Sequence, residues 1–213
     1  MQSTFYMEDQ KDYLEDISQI RNMMEQSSRF ISLSGVSGIF AGVYALIGAY
    51  VAHYLIWESS LARLKNGYAY STWNLQVALY AVAGAVLVMA IATGIYFTTR
   101  KAKQQGLKTW DKTSQRLIIN LLIPLVTGGV FCLVLINKGM ISIIAPSTLI
   151  FYGLALVNAS KYTFRDIRFL GFIEIILGLI ASILPGGGIL YMAVGFGIFH
   201  ILYGIVMYIK YER

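Results

Sequence analysis

A carboxylic acid, Glu174, and an imidazole, His200, lie inside two consecutive apolar runs of this chain. At the 1.5 Å rise of an α-helix, Glu174 sits about 10 Å inward from Ile167 and His200 about 14 Å inward from Ile209. The two runs are joined by the tight turn Pro185-Gly186-Gly187-Gly188, so both groups reach a similar depth on neighbouring helices. Ionisable side chains within apolar spans are costly and face a cavity or one another. Such a pair can hold a hydrogen-bonded cluster in register, or pass a proton in a ligand-binding cavity where His200 titrates. Asn120, Tyr152, Thr93, Ser34 and Ser37 fall at about the same level, so each helix is expected to add to one polar layer. No nucleophile motif, second carboxylate or metal-ligand set accompanies the pair. We therefore assign no catalytic residue, no metal and no cofactor.

The elements that must position this pair are six apolar runs. They are Phe30–Trp57, Trp73–Thr98, Leu117–Ile136, Ile141–Asn158, Ile167–Leu184 and Ile189–Ile209. About 20 apolar residues cross about 30 Å of hydrocarbon, and each run meets or approaches that length. Hydrophobic residues make up 57% of the 213 and charged residues 13%, too apolar for a soluble domain. The predicted fold is an all-α polytopic membrane protein of six transmembrane helices, residues 30–213, preceded by a cytoplasmic amphipathic helix over residues 1–29.

Charge placement sets the expected orientation. Of the 17 lysines and arginines, only Arg63, Lys65 and Lys138 lie off the side that carries the N-terminus, the second and fourth loops and the C-terminus. Basic residues collect on the cytoplasmic side, which predicts both termini inside. The net charge of +6 is thereby explained without nucleic acid. The second loop is the densest basic patch, with Arg100, Lys101, Lys103, Lys108, Lys112 and Arg116 against the single acid Asp111. Positive-inside anchoring accounts for it, and a lipid headgroup or an acidic ligand is the sharper use.

Residues 1–29 carry six acidic and three basic residues, with Tyr13, Ile17, Ile20 and Met24 forming a helical stripe. A helix lying on anionic lipid would be basic, so this one is expected to dock on protein, either its own basic second loop or a cytoplasmic partner. Gly106 is expected to end the second helix, with Thr109 as N-cap of the third and Trp110 as an interfacial anchor. Ser59–Asn66 reads as a separate short interfacial helix capped by Ser60 and ended by Asn66-Gly67. The small residues Ser34, Gly38 and Gly42 of the first span offer a close-packing face for the bundle or for a homo-oligomer, and Gly84 and Gly94 continue the theme. Pro124 frees the carbonyl of Asn120, four residues earlier, and Pro146 begins or breaks the fourth span. Cys132 is the only cysteine, so no intrachain disulfide can form.

Several stretches carry a likeness: Ile20-Arg21-Asn22-Met23-Met24-Glu25, Ser34-Gly35-Val36-Ser37-Gly38-Ile39-Phe40-Ala41-Gly42, the segment from Phe151-Tyr152-Gly153 to Lys161-Tyr162, and Tyr208-Ile209-Lys210-Tyr211-Glu212-Arg213. Together they resemble an uncharacterised family of small six-span membrane proteins of Bacteroidota bacteria. The resemblance implies residence in a bacterial cytoplasmic (inner) membrane and supplies no activity or site. The expected role is a non-enzymatic scaffold or sensor acting through the cytoplasmic face. The alternative is a small proton-coupled transporter or channel using the Glu174–His200 pair.

Overall fold

The computed structural model describes residues 33–66, 72–106, 110–184 and 186–213. The stripe expected over residues 1–29, Thr109 and Lys108 lie outside the described residues. The order is α1 (Gly35–Asn66), α2 (Thr72–Gln104), α3 (Lys112–Asn137), a 3-10 turn (Ile141–Ile143) leading into α4 (Ile144–Ala159), α5 (Asp166–Ile183) and α6 (Gly188–Tyr211). Among the described residues every regular element is helical. Five segments, all but α5, are long and apolar enough to cross a membrane. α5 has 18 residues and carries Asp166, Arg168 and Glu174 within them. The chain is an all-α, multi-pass membrane protein.

Helix ends follow local chemistry. Gly106, at φ +66°, ends α2 as expected, its N–H bonding the Lys103 carbonyl at 3.2 Å. The N-cap of α3 is Asp111, not Thr109. Its carboxylate accepts the Ser114 N–H at 2.7 Å while the Ser114 hydroxyl accepts the Asp111 N–H at 2.9 Å. A carboxylate at this position also complements the helix dipole, so the single acid of the basic loop is used by the cap. α3 closes on Gly139, at φ +72°, in a Schellman arrangement: Gly139 N–H to Ile136 O at 3.0 Å and Met140 N–H to Leu135 O at 2.9 Å.

Ser59–Asn66 is not a separate helix; it continues α1 without a break. Nothing between Trp57 and Asn66 lacks an N–H or favours a left-handed turn. Ser60 donates back to Ile56 O at 2.8 Å instead of capping. Pro146 sits in the first turn of α4, where its missing N–H has no intrahelical acceptor to leave unpaired.

α1 packs between α2 and α6, α6 meets α4 and α5, and α3 flanks α4. Two seams are close enough to require glycine. A Cβ on Gly35 would stand 2.5 Å from Gly204 O, and one on Gly42 2.7 Å from Gly197 O, so the small face of α1 is filled by α6 of the same chain. Gly153 and Gly171 lie reciprocally against each other's carbonyls across α4 and α5. Gly84 and Gly94 of α2 depart from the expected theme: among the described residues nothing comes within 4 Å of a Cβ placed there. The buried core of Leu156, Ile167 and Leu170, joined by Leu33, Tyr152 and Tyr203, lies toward the end where α1 begins and α6 finishes.

Candidate functional site

Three of the sequence-derived polar residues meet inside the bundle: Tyr152 from α4, Glu174 from α5 and His200 from α6. Glu174 is 0% exposed and His200 7%. His200 Nδ1 lies 3.4 Å from Glu174 Oε1 and 3.1 Å from the Gly195 carbonyl, while its Nε2 is 2.7 Å from the Tyr152 hydroxyl. A carbonyl can only accept, so Nδ1 carries a hydrogen. In the neutral ring Nε2 then accepts from Tyr152. The Tyr152 ring also stands 5.0 Å from Phe196, which walls this side of the cluster.

Two local features set this geometry. The stretch Ala193–Phe199 just before His200 winds as a π-helix, whose wider turn alters the register with which His200 leaves α6. Gly195 then makes room for the acid: a Cβ there would stand 2.5 Å from Glu174 Oε2 and 2.7 Å from Leu149 Cδ2. Neither Glu174 oxygen has a hydrogen-bond partner among the described residues, and the same holds for the buried Tyr203 hydroxyl. Such a pair is electrically balanced as neutral acid with neutral base, or as carboxylate with imidazolium. With Nδ1 protonated toward Gly195, the free lone pair of the neutral ring is on Nε2 against Tyr152, so a proton leaving Glu174 has no direct acceptor on the face of the ring turned to it.

The other members of the expected layer are not brought in. Thr93 bonds back to Met89 O at 2.8 Å, and Ser37 to Ser34 O at 2.6 Å. Asn120 instead marks the α3–α4 contact. Its carbonyl, freed by Pro124, accepts Asn158 Nδ2 at 2.9 Å, and its own amide donates to Arg116 O at 2.8 Å. A neighbouring helix thus satisfies the orphan that the proline creates.

A second constellation, which the sequence did not single out, ties the basic end of the bundle. The Glu212 carboxylate beyond α6 accepts the Gly35 N–H at the start of α1 through Oε1. The same oxygen accepts Lys101 Nζ at 3.1 Å, while Oε2 accepts the Ser34 hydroxyl at 3.3 Å. Lys101 also donates to Leu33 O at 2.8 Å. One acid therefore joins α1, α2 and α6. Its sequence signal was available, since it is the only acidic residue after Glu174, on the side rich in base. Lys101, assigned to the basic surface patch, is instead drawn into this knot with its side chain 11% exposed. Arg100, Lys103, Lys112 and Arg116 are exposed as expected.

Beside the knot a hollow of about 470 Å³ is lined by Arg100, Gln104, Gln105 and Tyr208. Nearby, Asp166 accepts Lys210 Nζ at 2.8 Å and the Tyr211 hydroxyl at 2.7 Å. Partial burial acts to raise its pKa, but these two donors outweigh it and hold the carboxyl below its ordinary value. No protein-family model matches the chain, and no curated protein or solved structure shows significant similarity to it.

Proposed function

We propose that this is a six-span protein of the bacterial cytoplasmic membrane, both termini inside, working as a non-enzymatic scaffold or sensor through its cytoplasmic face. The Glu212 knot carries this reading. It gathers the basic ends of three helices at Leu33, which directly follows residues 1–32 in the chain. Movement among these helices would therefore be felt just after the acidic amphipathic segment ends. That segment would dock on the basic second loop or on a cytoplasmic partner. The likeness to the Bacteroidota family supports the choice of membrane, and the basic asymmetry supports the orientation.

The second reading, a proton-coupled transporter, draws on Glu174, whose buried carboxyl has no hydrogen-bond partner among the described residues. Its full burial favours a closed cluster over a conduit. Purified chain in liposomes separates the two. Under an imposed pH gradient the scaffold or sensor reading expects no proton flux above that of empty vesicles. Flux that Glu174→Gln abolishes would reject that reading in favour of transport. Orientation is tested separately by cysteine labelling in intact cells. An impermeant reagent should label a cysteine at Asn66 and not one at Lys103. The reverse pattern would refute the topology.

A further inference from the structure

The groove between α3 and α4 is held open by contacts at both ends. Toward the basic end, Asn158 bonds the Asn120 carbonyl. Deeper in, Phe151 presses on Gly128, where a Cβ would fall 2.4 Å from Phe151 Cβ. Between them lies a hollow of about 380 Å³ walled by Pro124, Phe151, Leu154 and Val157, with Lys161 at its mouth. Thr127 turns its hydroxyl back to Ile123 O at 2.8 Å, which keeps the wall apolar. The mouth is cationic. Lys161 is exposed, and among the described residues its ammonium reaches only the neutral Asn158 Oδ1, at 3.2 Å. Arg116, exposed on α3 one turn before Asn120, has no acidic side chain paired with it among the described residues.

We propose that this groove is a binding site for an anionic phospholipid, one acyl chain lying along Pro124, Phe151, Leu154 and Val157 and the phosphate held at the mouth by Lys161 and Arg116. The observations make an amphiphile the fitting occupant. An apolar slot in a membrane-embedded face is filled by hydrocarbon, and Lys161 at its mouth, with Arg116 on α3 one turn before the Asn120–Asn158 contact, favours a negative headgroup over a zwitterionic one. Assigning the headgroup to the inner leaflet rests on the orientation proposed above; the groove and its cations do not.

The test uses the full chain, purified in detergent and delipidated, with native mass spectrometry following dioleoyl phosphatidylglycerol and dioleoyl phosphatidylcholine as probes. Wild type should prefer the glycerol lipid by about thirtyfold, the attraction expected of two basic residues near one anionic headgroup. The Lys161→Gln/Arg116→Gln double variant should bind both lipids alike. Leu154→Trp, at a lipid-facing position 43% exposed, should block the groove and weaken both without unfolding the bundle. Equal binding of the two lipids by wild type overturns the proposal, as does a preference that survives in the double variant. A dimer that Leu154→Trp dissociates would assign the groove to a second copy of the chain and equally overturn it. Labelling of a cysteine at Lys161 from outside intact cells would reject the orientation while leaving the lipid site in place on the other leaflet.

Discussion

Replacing Asn158 by Leu removes the donor that satisfies the Asn120 carbonyl, and its cost should depend on Pro124. In the native chain that carbonyl has lost its intrahelical partner to the proline and bonds Asn158 Nδ2 at 2.9 Å. Interhelical hydrogen bonds in membrane proteins average about 0.6 kcal/mol and reach about 1.7. Stranding a buried polar group costs about 1–3 kcal/mol. Asn158 is half-buried, so we expect Asn158→Leu to destabilise by about 1–2 kcal/mol. In a chain of this size that is a fall of about 2–8 °C in melting temperature, at about 2–4 °C per kcal/mol. Pro124→Ala restores an N–H four residues after Asn120 and offers the carbonyl a second donor. In that background Asn158→Leu should cost less by about 1 kcal/mol. Thermal unfolding of the four proteins in one detergent, followed by circular dichroism, gives the coupling directly. Additive effects would mean that the proline does not make Asn158 necessary, and the account of the α3–α4 contact would fail.

Four further outcomes follow from the packing and the basic end. Gly195→Ala should destabilise by about 1–3 kcal/mol through overpacking against Glu174 and Leu149. Gly84→Ala, with open space around it, should be neutral or stabilising by up to about 1 kcal/mol, and a loss at Gly84 matching that at Gly195 would contradict the seams. Glu212→Ala should speed amide exchange at residues 35–38 while leaving α4 and α5 unchanged, with Glu212→Gln milder; uniform exchange across the bundle would show that Glu212 is no cap. Asp166, with its pKa lowered, contributes stability that is complete above about pH 4 and lost as pH falls through the lowered folded value. Acid unfolding of Asp166→Asn in detergent should lack that component, and an unchanged profile would count against it.

The helices were legible because apolar runs of span length have few alternatives, and the facing of Glu174 and His200 because a short turn joins matched depths. Depth without azimuth is where the sequence stopped. Thr93, Asn120 and Ser37 sit at the right level, yet each residue along a helix turns by about 100°. A helix apolar on all sides, such as α2, gives no stripe to say which way it faces. Gly84 and Gly94 were misread as packing positions for that reason. Asp111 was passed over for Thr109 because both are good caps, and the choice depended on where the first turn closes. Glu212 was missed because its partners, Ser34, Gly35 and Lys101, are distant in sequence, and periodicity carries no long-range information. The π-helical turn before His200 has no reliable sequence mark. The carbonyl orphaned by Pro124 was predictable, whereas the identity of its rescuer was not.

The seam between α1 and α6 has a consequence for biosynthesis. The Gly35–Glu212 bond spans 177 residues, so α1 meets its partner α6 only after the four helices between them have been made. Until then the glycine face of α1 and the Gly35 N–H lack the α6 partners they have in the finished bundle. A nascent chain stalled before α6 would carry an open notch along α1, a ready mark for membrane proteases that clear unfinished proteins.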